Sequence, residues 1–597
     1  MITERLRGAF SRHFLAVIFG LIIGFIYIAP HIFFVVNPEN KYQGVFISRA
    51  SDEENYLSVI HETYDGNKIA NPYLFEYKNN PSNAAYYYFI EYSLGRIGKI
   101  FNLTIANLAY LMKFIFPIIL FFTIYIFLLT VSKDKGAALL GSVLVLLGNE
   151  MVGVRAGDFI STIFWQGSWT EFLAYSRPVN PSISSIFFFL ALYCIYRIYN
   201  EPEKVRFWIL GGALIGFTAY LYFYFWFFPL VLLAVIFVYS VVSKNKLLAL
   251  AVFLCSLISL IIASPFIFSM LKGLMDTSAS VDKEAIQKTF ISTHRIILEK
   301  IIFAPLLALA VYYFIKLAAK KFMGFAGAQY SVSKKYIFIF LLLLAALISS
   351  NQQVLSGMEI QQHHFHFFVS IPIFFIAMAV LVVDLLKKYF PKFKTAAIFI
   401  IISIVVIYAV GVQASTYKNW QPTYKYYQRY ADVFNWLNKN SEKESVVYAN
   451  LVMSGMIPMY TKNNVYNAGL AVSYLIPQER LLNNYFVGLF LAGITKDNAR
   501  ASFYQKEQRD KIGIFIFEGQ YWRDRCGSYG CFPDAILDGI IEKYLLFLQS
   551  PIEQNFKQYR MDYLLWDKNR EPEWRVADLK FLEPVYEYQN IVVYKIN

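Results

Sequence analysis

Apolar residues in this chain fall in long unbroken runs, with polar residues gathered between them. The first run, 14–36, is long enough to cross a bilayer, follows Arg5, Arg7 and Arg12, and lacks a small-residue cleavage pattern after it. It reads as a retained anchor with its N-terminus on the cytoplasmic side. Ten further candidate spans follow at 107–131, 137–149, 182–199, 207–222, 225–242, 247–270, 296–319, 336–350, 365–386 and 395–415, which makes eleven with the first. Alternation from that start puts Lys133 and Lys135, Lys204 and Arg206, Lys244 and Lys246, Lys316 to Lys335, and Lys387 to Lys394 on the cytoplasmic side. Every short basic linker then obeys the positive-inside rule.

The same alternation sends 37–106, 150–181, 271–295 and 351–364 outward, together with everything after the last span. The first outward loop carries two amphipathic stretches. In 53–64, Tyr56, Val59, Ile60 and Tyr64 share a helical face; in 83–101, Tyr86 to Tyr92 and Ile97 to Phe101 are aromatic or aliphatic with scattered charges. Both predict helices lying along the membrane surface. Residues 416–597 alternate helix-like runs (424–439, 478–494, 534–549) with short strands at 445–448, 513–517, 562–566, 585–588 and 591–594. The expected fold is therefore a polytopic α-helical membrane protein, with a membrane part over 1–415 and a C-terminal α/β domain over 416–597 outside the cytoplasm.

Composition sharpens this picture in three ways. At 57% hydrophobic and 18% aromatic, the 597-residue chain is far more apolar than the roughly 45–50% of soluble domains. Its net charge of +14, from 55 Lys and Arg against 41 Asp and Glu, is carried by cytoplasmic linkers, which turns the reading away from nucleic acid. Of four cysteines, Cys194 and Cys255 lie in apolar runs, while Cys526 and Cys531 flank a small loop that would close as a disulfide in an oxidising compartment. Neither GxxxxGK[ST] nor GxGxxG occurs, which disfavours a nucleotide-driven cytosolic reaction. The triplet Asn102-Leu103-Thr104 abuts a span and is given no role.

Candidate chemistry gathers in the outward loops. Arg49-Ala50-Ser51-Asp52-Glu53-Glu54-Asn55-Tyr56 places three adjacent carboxylates where the chain leaves the first span. They suit a solvated helix start, or they supply a catalytic carboxylate, Asp52 or Glu53, at the mouth of a membrane cavity. In the second loop, Arg155 and Arg177 have the planar fork of donors that suits a lipid phosphate, with Asp158 beside Arg155; headgroup snorkelling is the plainer alternative. In the fourth loop, Gln362, His363, His364 and His366 could bond a phosphate or sugar hydroxyls, and the Glu359–His363–His366 spacing permits a divalent metal without a further recognisable ligand. The third loop offers Lys272, Asp276, Asp282 and His294 in a Thr/Ser-rich setting that suggests a mobile cover.

An inward N-terminus, an acidic pair opening a long first outward loop with two surface helices, about eleven spans and an outward α/β domain together resemble the GT-C glycosyltransferases. At residue level the match is Asp52-Glu53. No WWDYG-like sequence of the oligosaccharyltransferase catalytic subunits occurs, so the closer analogy is with lipid-A aminoarabinose transferases and protein mannosyltransferases. The resemblance implies inverting transfer of a sugar from a polyprenyl-phosphate donor to a glycan, lipid or protein acceptor on the outer face of the cytoplasmic membrane. Asp52, or else Glu53, would be the general base. Arg155, Arg177, Lys272 and the histidines of 363–366 would stabilise the departing lipid phosphate. Two other classes compete: a transporter or flippase of lipid-linked sugars, for which charges would be expected inside the spans, and a membrane-anchored interaction protein.

Overall fold

The computed structural model describes residues 12–48, 52–67, 71–78, 88–280, 291–322, 333–474, 476–517, 522–523 and 526–597, without the side chains of 270, 272–280, 291–292, 312–322 and 472–473. Each expected apolar run forms a helix. In chain order these elements are α1 (Phe14–Val36), the surface helices α2 (Glu53–Tyr64) and α3 (Phe89–Ile100), then α4 (Ile105–Ser132) and α5 (Lys135–Leu147). A short α6 (Ala156–Ile163) precedes α7 (Ser184–Asn200), α8 (Val205–Thr218), α9 (Phe223–Val242) and α10 (Lys246–Ser280). The bundle closes with α11 (Lys300–Phe322), α12 (Lys334–Ser349), α13 (Gln362–Tyr389) and α14 (Lys394–Tyr427).

Among the described residues, eight helices are long and apolar enough to cross a membrane. The remaining three of the eleven expected spans fall on shorter apolar helices, Lys135–Leu147, Val205–Thr218 and the described part Lys300–Val311. At 1.5 Å per residue, the 13 residues of α5 reach only about 20 Å. Length matters little for α5, because its residues from Ala137 to Leu147 are almost all buried by α4, α13 and α14 rather than by lipid. Close approach elsewhere depends on missing side chains. A Cβ on Gly216 of α8 would sit 2.7 Å from the Ser259 carbonyl of α10, so only glycine lets these two backbones touch.

The chain after α14 folds as α15 (Tyr430–Asn440), α16 (Leu451–Tyr460), α17 (Gln478–Leu491), α18 (Lys506–Phe517) and α19 (Asp534–Phe547) around a five-stranded sheet. After a two-residue pair, β1 (Ile291–Ser292) with β2 (Met358–Glu359), the sheet strands are β3 (Val446–Tyr448), β4 (Asn464–Val465), β5 (Tyr563–Asp567), β6 (Leu582–Tyr588) and β7 (Ile591–Ile596). Their order is β4-β3-β5-β7-β6, with β3 parallel to both neighbours and the last three antiparallel. Gln589 and Asn590, both at positive φ, make the two-residue hairpin turn. One expected strand is overturned: 513–517 is the end of α18. Its unbroken Gly-Ile-Phe-Ile-Phe run also fits a helix end packed on two sides, with Gly513 against the Tyr529 backbone.

This sheet region is bound to the first loop and to α14 by buried polar contacts. Lys78, 3% exposed, pairs with Glu62 at 2.9 Å and with Glu444 at 3.2 Å. Val465 N–H donates to the Tyr73 carbonyl at 2.9 Å. The fully buried Asp567 of β5 accepts from the hydroxyls of Tyr426 (2.7 Å) and Tyr430 (2.9 Å) at the junction of α14 and α15. Phe34, Val45, Ile47, Tyr73, Leu74 and Phe172 share one apolar core with the sheet and its helices. The first loop is thus held between the helical bundle and the sheet, which fixes where its acidic cluster sits.

Candidate active site at the start of the first surface helix

Asp52 caps the N-terminus of α2 with a left-handed backbone (φ 56°), and its side chain stays half exposed. Its Oδ2 lies 3.4 Å from Nη1 of Arg177, which is itself almost wholly buried. Arg177 arrives on the irregular segment before α7 and is aimed by several contacts. Its Nε–H donates to the Asn180 carbonyl, and its guanidinium lies 5.7 Å from the Tyr56 ring centre and 5.9 Å from that of Phe368. Burial alone would lower the Arg177 pKa, but the Tyr56 and Tyr222 hydroxyls and the Asp52 carboxylate raise it above the ordinary guanidinium value. Asn180 in turn donates to the Tyr56 hydroxyl at 3.3 Å and to the Leu221 carbonyl at 3.2 Å.

The fourth loop closes the other side. The Tyr222 hydroxyl is hydrogen-bonded to Nδ1 of His364, and the Tyr222 ring packs on Phe368 at 6.1 Å. Tyr224 donates to Gln361 at 2.7 Å, and His363 stacks edge-on against His364 at 4.3 Å. A buried guanidinium therefore meets one half-exposed carboxylate, and an imidazole is joined to Tyr222, whose hydroxyl acts on that guanidinium. Such an arrangement can take a proton at Asp52 while holding a nearby anion on Arg177.

The remaining candidates go elsewhere. Glu53, 1% exposed, turns inward to Lys113 of α4 at 2.5 Å. Gln362 and His366, two positions away from His364 and Phe368 on a helical path, face Glu299 instead, with His366 Nδ1 at 2.9 Å from its carboxylate. Arg155 and Asp158 are exposed on α6, whose opposite side stacks Phe159 on Tyr408 of α14. Lys272 lies on α10, with its side chain outside the described residues, as are Arg49 to Ser51 and Asp282. Cys526 and Cys531 are joined as a disulfide, and Cys194 and Cys255 are buried. Among the described residues no group of three or more metal-ligating side chains is placed to hold a metal.

Sequence reasoning missed three buried charges around these residues. Lys113 is the one lysine in the apolar run 107–131, a cost that calls for a buried partner. Glu299, 3% exposed at the start of α11, gave the same kind of signal. Glu91 of α3 is 5% exposed, and burial pushes its carboxyl up to about 7. It acts electrostatically on Tyr56, and on Tyr474, whose hydroxyl donates to Asn55 at 2.7 Å. The sheet region thereby reaches the rim of the site through Tyr474.

No family model and no curated protein matches the chain. Among solved structures it is similar to the oligosaccharyltransferase of Archaeoglobus fulgidus in its apo form, at 11% identity and a TM-score of 0.46, over 93% of this chain and 69% of that one. It is similar to ArnT from Cupriavidus metallidurans bound to undecaprenyl phosphate, at 12% identity and a TM-score of 0.41, over 76% and 86%. A third is the Archaeoglobus fulgidus oligosaccharyltransferase in complex with zinc and sulfate, at 13% identity and a TM-score of 0.45, over 97% and 73%.

Proposed function

We propose that this chain is a membrane glycosyltransferase that moves a sugar from a polyprenyl-phosphate donor to an acceptor at the membrane surface, with inversion at the anomeric carbon. The observation that carries this reading is the pairing of Asp52 with Arg177, beside Tyr222 and its partner His364, from four separate segments of the chain. Asp52 takes the proton from the acceptor hydroxyl or amine as that atom bonds to the anomeric carbon. The bond from that carbon to the phosphate oxygen breaks, its electron pair leaves with the lipid phosphate, and Arg177 stabilises the charge that develops there. A positioned base of this kind contributes about 10²–10⁴-fold.

Of the two acidic candidates, Asp52 takes the role of base because its carboxylate is accessible, whereas Glu53 is enclosed against Lys113. Arg177 and His364 take the donor phosphate and sugar. Arg155, Asp158, Gln362 and His366 sit on other faces and are left outside the reaction. The C-terminal α/β region, which supplies Tyr474 at the rim, forms the acceptor side on the outer face of the cytoplasmic membrane.

The test is transfer itself. Full-length protein in vesicles is supplied with a panel of polyprenyl-phosphate sugars and a cell-envelope acceptor fraction, and labelled sugar is followed. The proposal expects label to leave the lipid and appear on an acceptor. Movement of intact lipid-linked sugar across the bilayer, with no cleavage, would replace it by the flippase reading.

A further inference from the structure

Glu53 follows Asp52 directly in sequence yet faces the interior. Its carboxylate meets Nζ of Lys113 at 2.5 Å, and both side chains are fully enclosed. The same ammonium donates to the carbonyl oxygen of Ser176 at 2.9 Å. Ser176 is the residue before Arg177, and the Arg177 guanidinium returns to Asp52 at 3.4 Å. These contacts close a ring: Asp52, its peptide neighbour Glu53, Lys113, Ser176, its peptide neighbour Arg177, and Asp52 again.

We propose that Lys113 is a positioning residue, a single buried cation that sets the separation of Asp52 and Arg177 by gripping the chain next to each of them. The proposal rests on the reading of Asp52 and Arg177 as the reacting site. Three physical considerations support it. First, Asp52 and Arg177 both lie off regular helix, the one in a left-handed cap and the other in the irregular stretch before α7, so neither is fixed by its own element. Second, Lys113 sits two turns into α4, which packs against α1, α5 and α7, so the reference point is rigid. Third, an ion pair removed from water is replaceable by apolar side chains of similar volume without loss of stability, so the fold alone gives little reason to keep it. An ammonium with three donors can serve Glu53 and the Ser176 carbonyl together, which a carboxylate or an apolar residue at 113 cannot.

The experiment compares full-length protein with the double variant Glu53→Leu/Lys113→Met. Its readouts are thermal midpoint and affinity for undecaprenyl phosphate in mixed micelles, with undecaprenol as the control lacking phosphate. The proposal expects a midpoint equal to or above that of the unaltered protein, a fall of about tenfold or more in phosphate-lipid affinity, and unchanged undecaprenol binding. Lys113→Arg, which keeps the cation and donors for both oxygens, is expected to stay within about threefold of the starting affinity. A stable double variant with full affinity would overturn the proposal. So would a double variant that does not fold, since the pair would then serve stability alone. Arg177→Gln separates the two levels of argument. If it leaves phosphate-lipid affinity unchanged, the proposed function is at fault; if it weakens binding while the double variant does not, only the positioning role of Lys113 falls.

Discussion

Burial raises the Glu91 carboxyl from its ordinary 4.5 to about 7, and this makes a signed prediction about stability. A carboxyl whose folded pKa lies above its unfolded value binds its proton more tightly when folded. Between the two values the folded state therefore holds more protons, and stability falls as pH rises. The Glu91 contribution is neutral below about pH 4.5 and reaches its full destabilising value above about pH 7. With 1.36 kcal/mol per pKa unit, the shift amounts to about 3 kcal/mol at pH 8. Glu91→Gln removes the titration while keeping shape and hydrogen-bonding capacity. The assay is the thermal midpoint of both proteins in detergent from pH 4 to pH 9, read as the difference between them, so that other carboxyls such as Glu150, also raised to about 7 by burial, cancel. The two midpoints should coincide near pH 4, separate from about pH 5 upward and stay at a constant difference above about pH 7, with the variant higher. A difference independent of pH, or one that opens on the acid side, would refute the reasoning.

Other expectations concern the joints that hold the site in place. Asp567→Ala leaves the Tyr426 and Tyr430 hydroxyls without their buried acceptor, and should cost about 2–4 kcal/mol with faster proteolysis between α14 and the sheet. Gly216→Leu drives a side chain into the Ser259 carbonyl and Ile262 of α10; it should lower the thermal midpoint and the yield of folded protein in detergent, whereas Gly539→Ala, with open space for its Cβ inside α19, should lower neither. Cys526→Ser opens a disulfide that spans a sequence separation of 5 and should cost about 2 kcal/mol in the sheet region, measured against the unaltered protein with and without reductant.

How much of this was legible in the sequence depends on what each residue had to satisfy. Lipid and a buried bundle both demand continuous apolar stretches, so the runs that became helices were readable from hydropathy alone. The shortness of α5 was readable too, in the run 137–149, and it is tolerated because a helix enclosed by other helices need not match the bilayer. The stretch 513–517 was misread because a short unbroken apolar run suits a strand as well as the end of α18, and packing against Tyr529 decides between them. Asp52 and Arg177 stood out as charges at the edge of apolar runs. Their pairing could not be read, since it depends on loops separated by more than a hundred residues. Lys113 and Glu299 were hidden in plain view, the first the single charge of its candidate span and the second one of three in 296–319, and the sequence carries no record of which partner each would find. The fourth loop divides for a simpler reason. His364 and His366 are two apart on a helical path, so one reaches Tyr222 while the other reaches Glu299.

The central claim is that the exposed carboxylate of Asp52 takes the acceptor's proton beside Arg177. Its most direct measurement is the initial rate of sugar transfer by Asp52→Asn set against that variant's affinity for undecaprenyl phosphate. The account predicts a rate lower by about 10²–10⁴-fold with affinity within about threefold of the unaltered protein. A variant that transfers sugar at close to the original rate would contradict it.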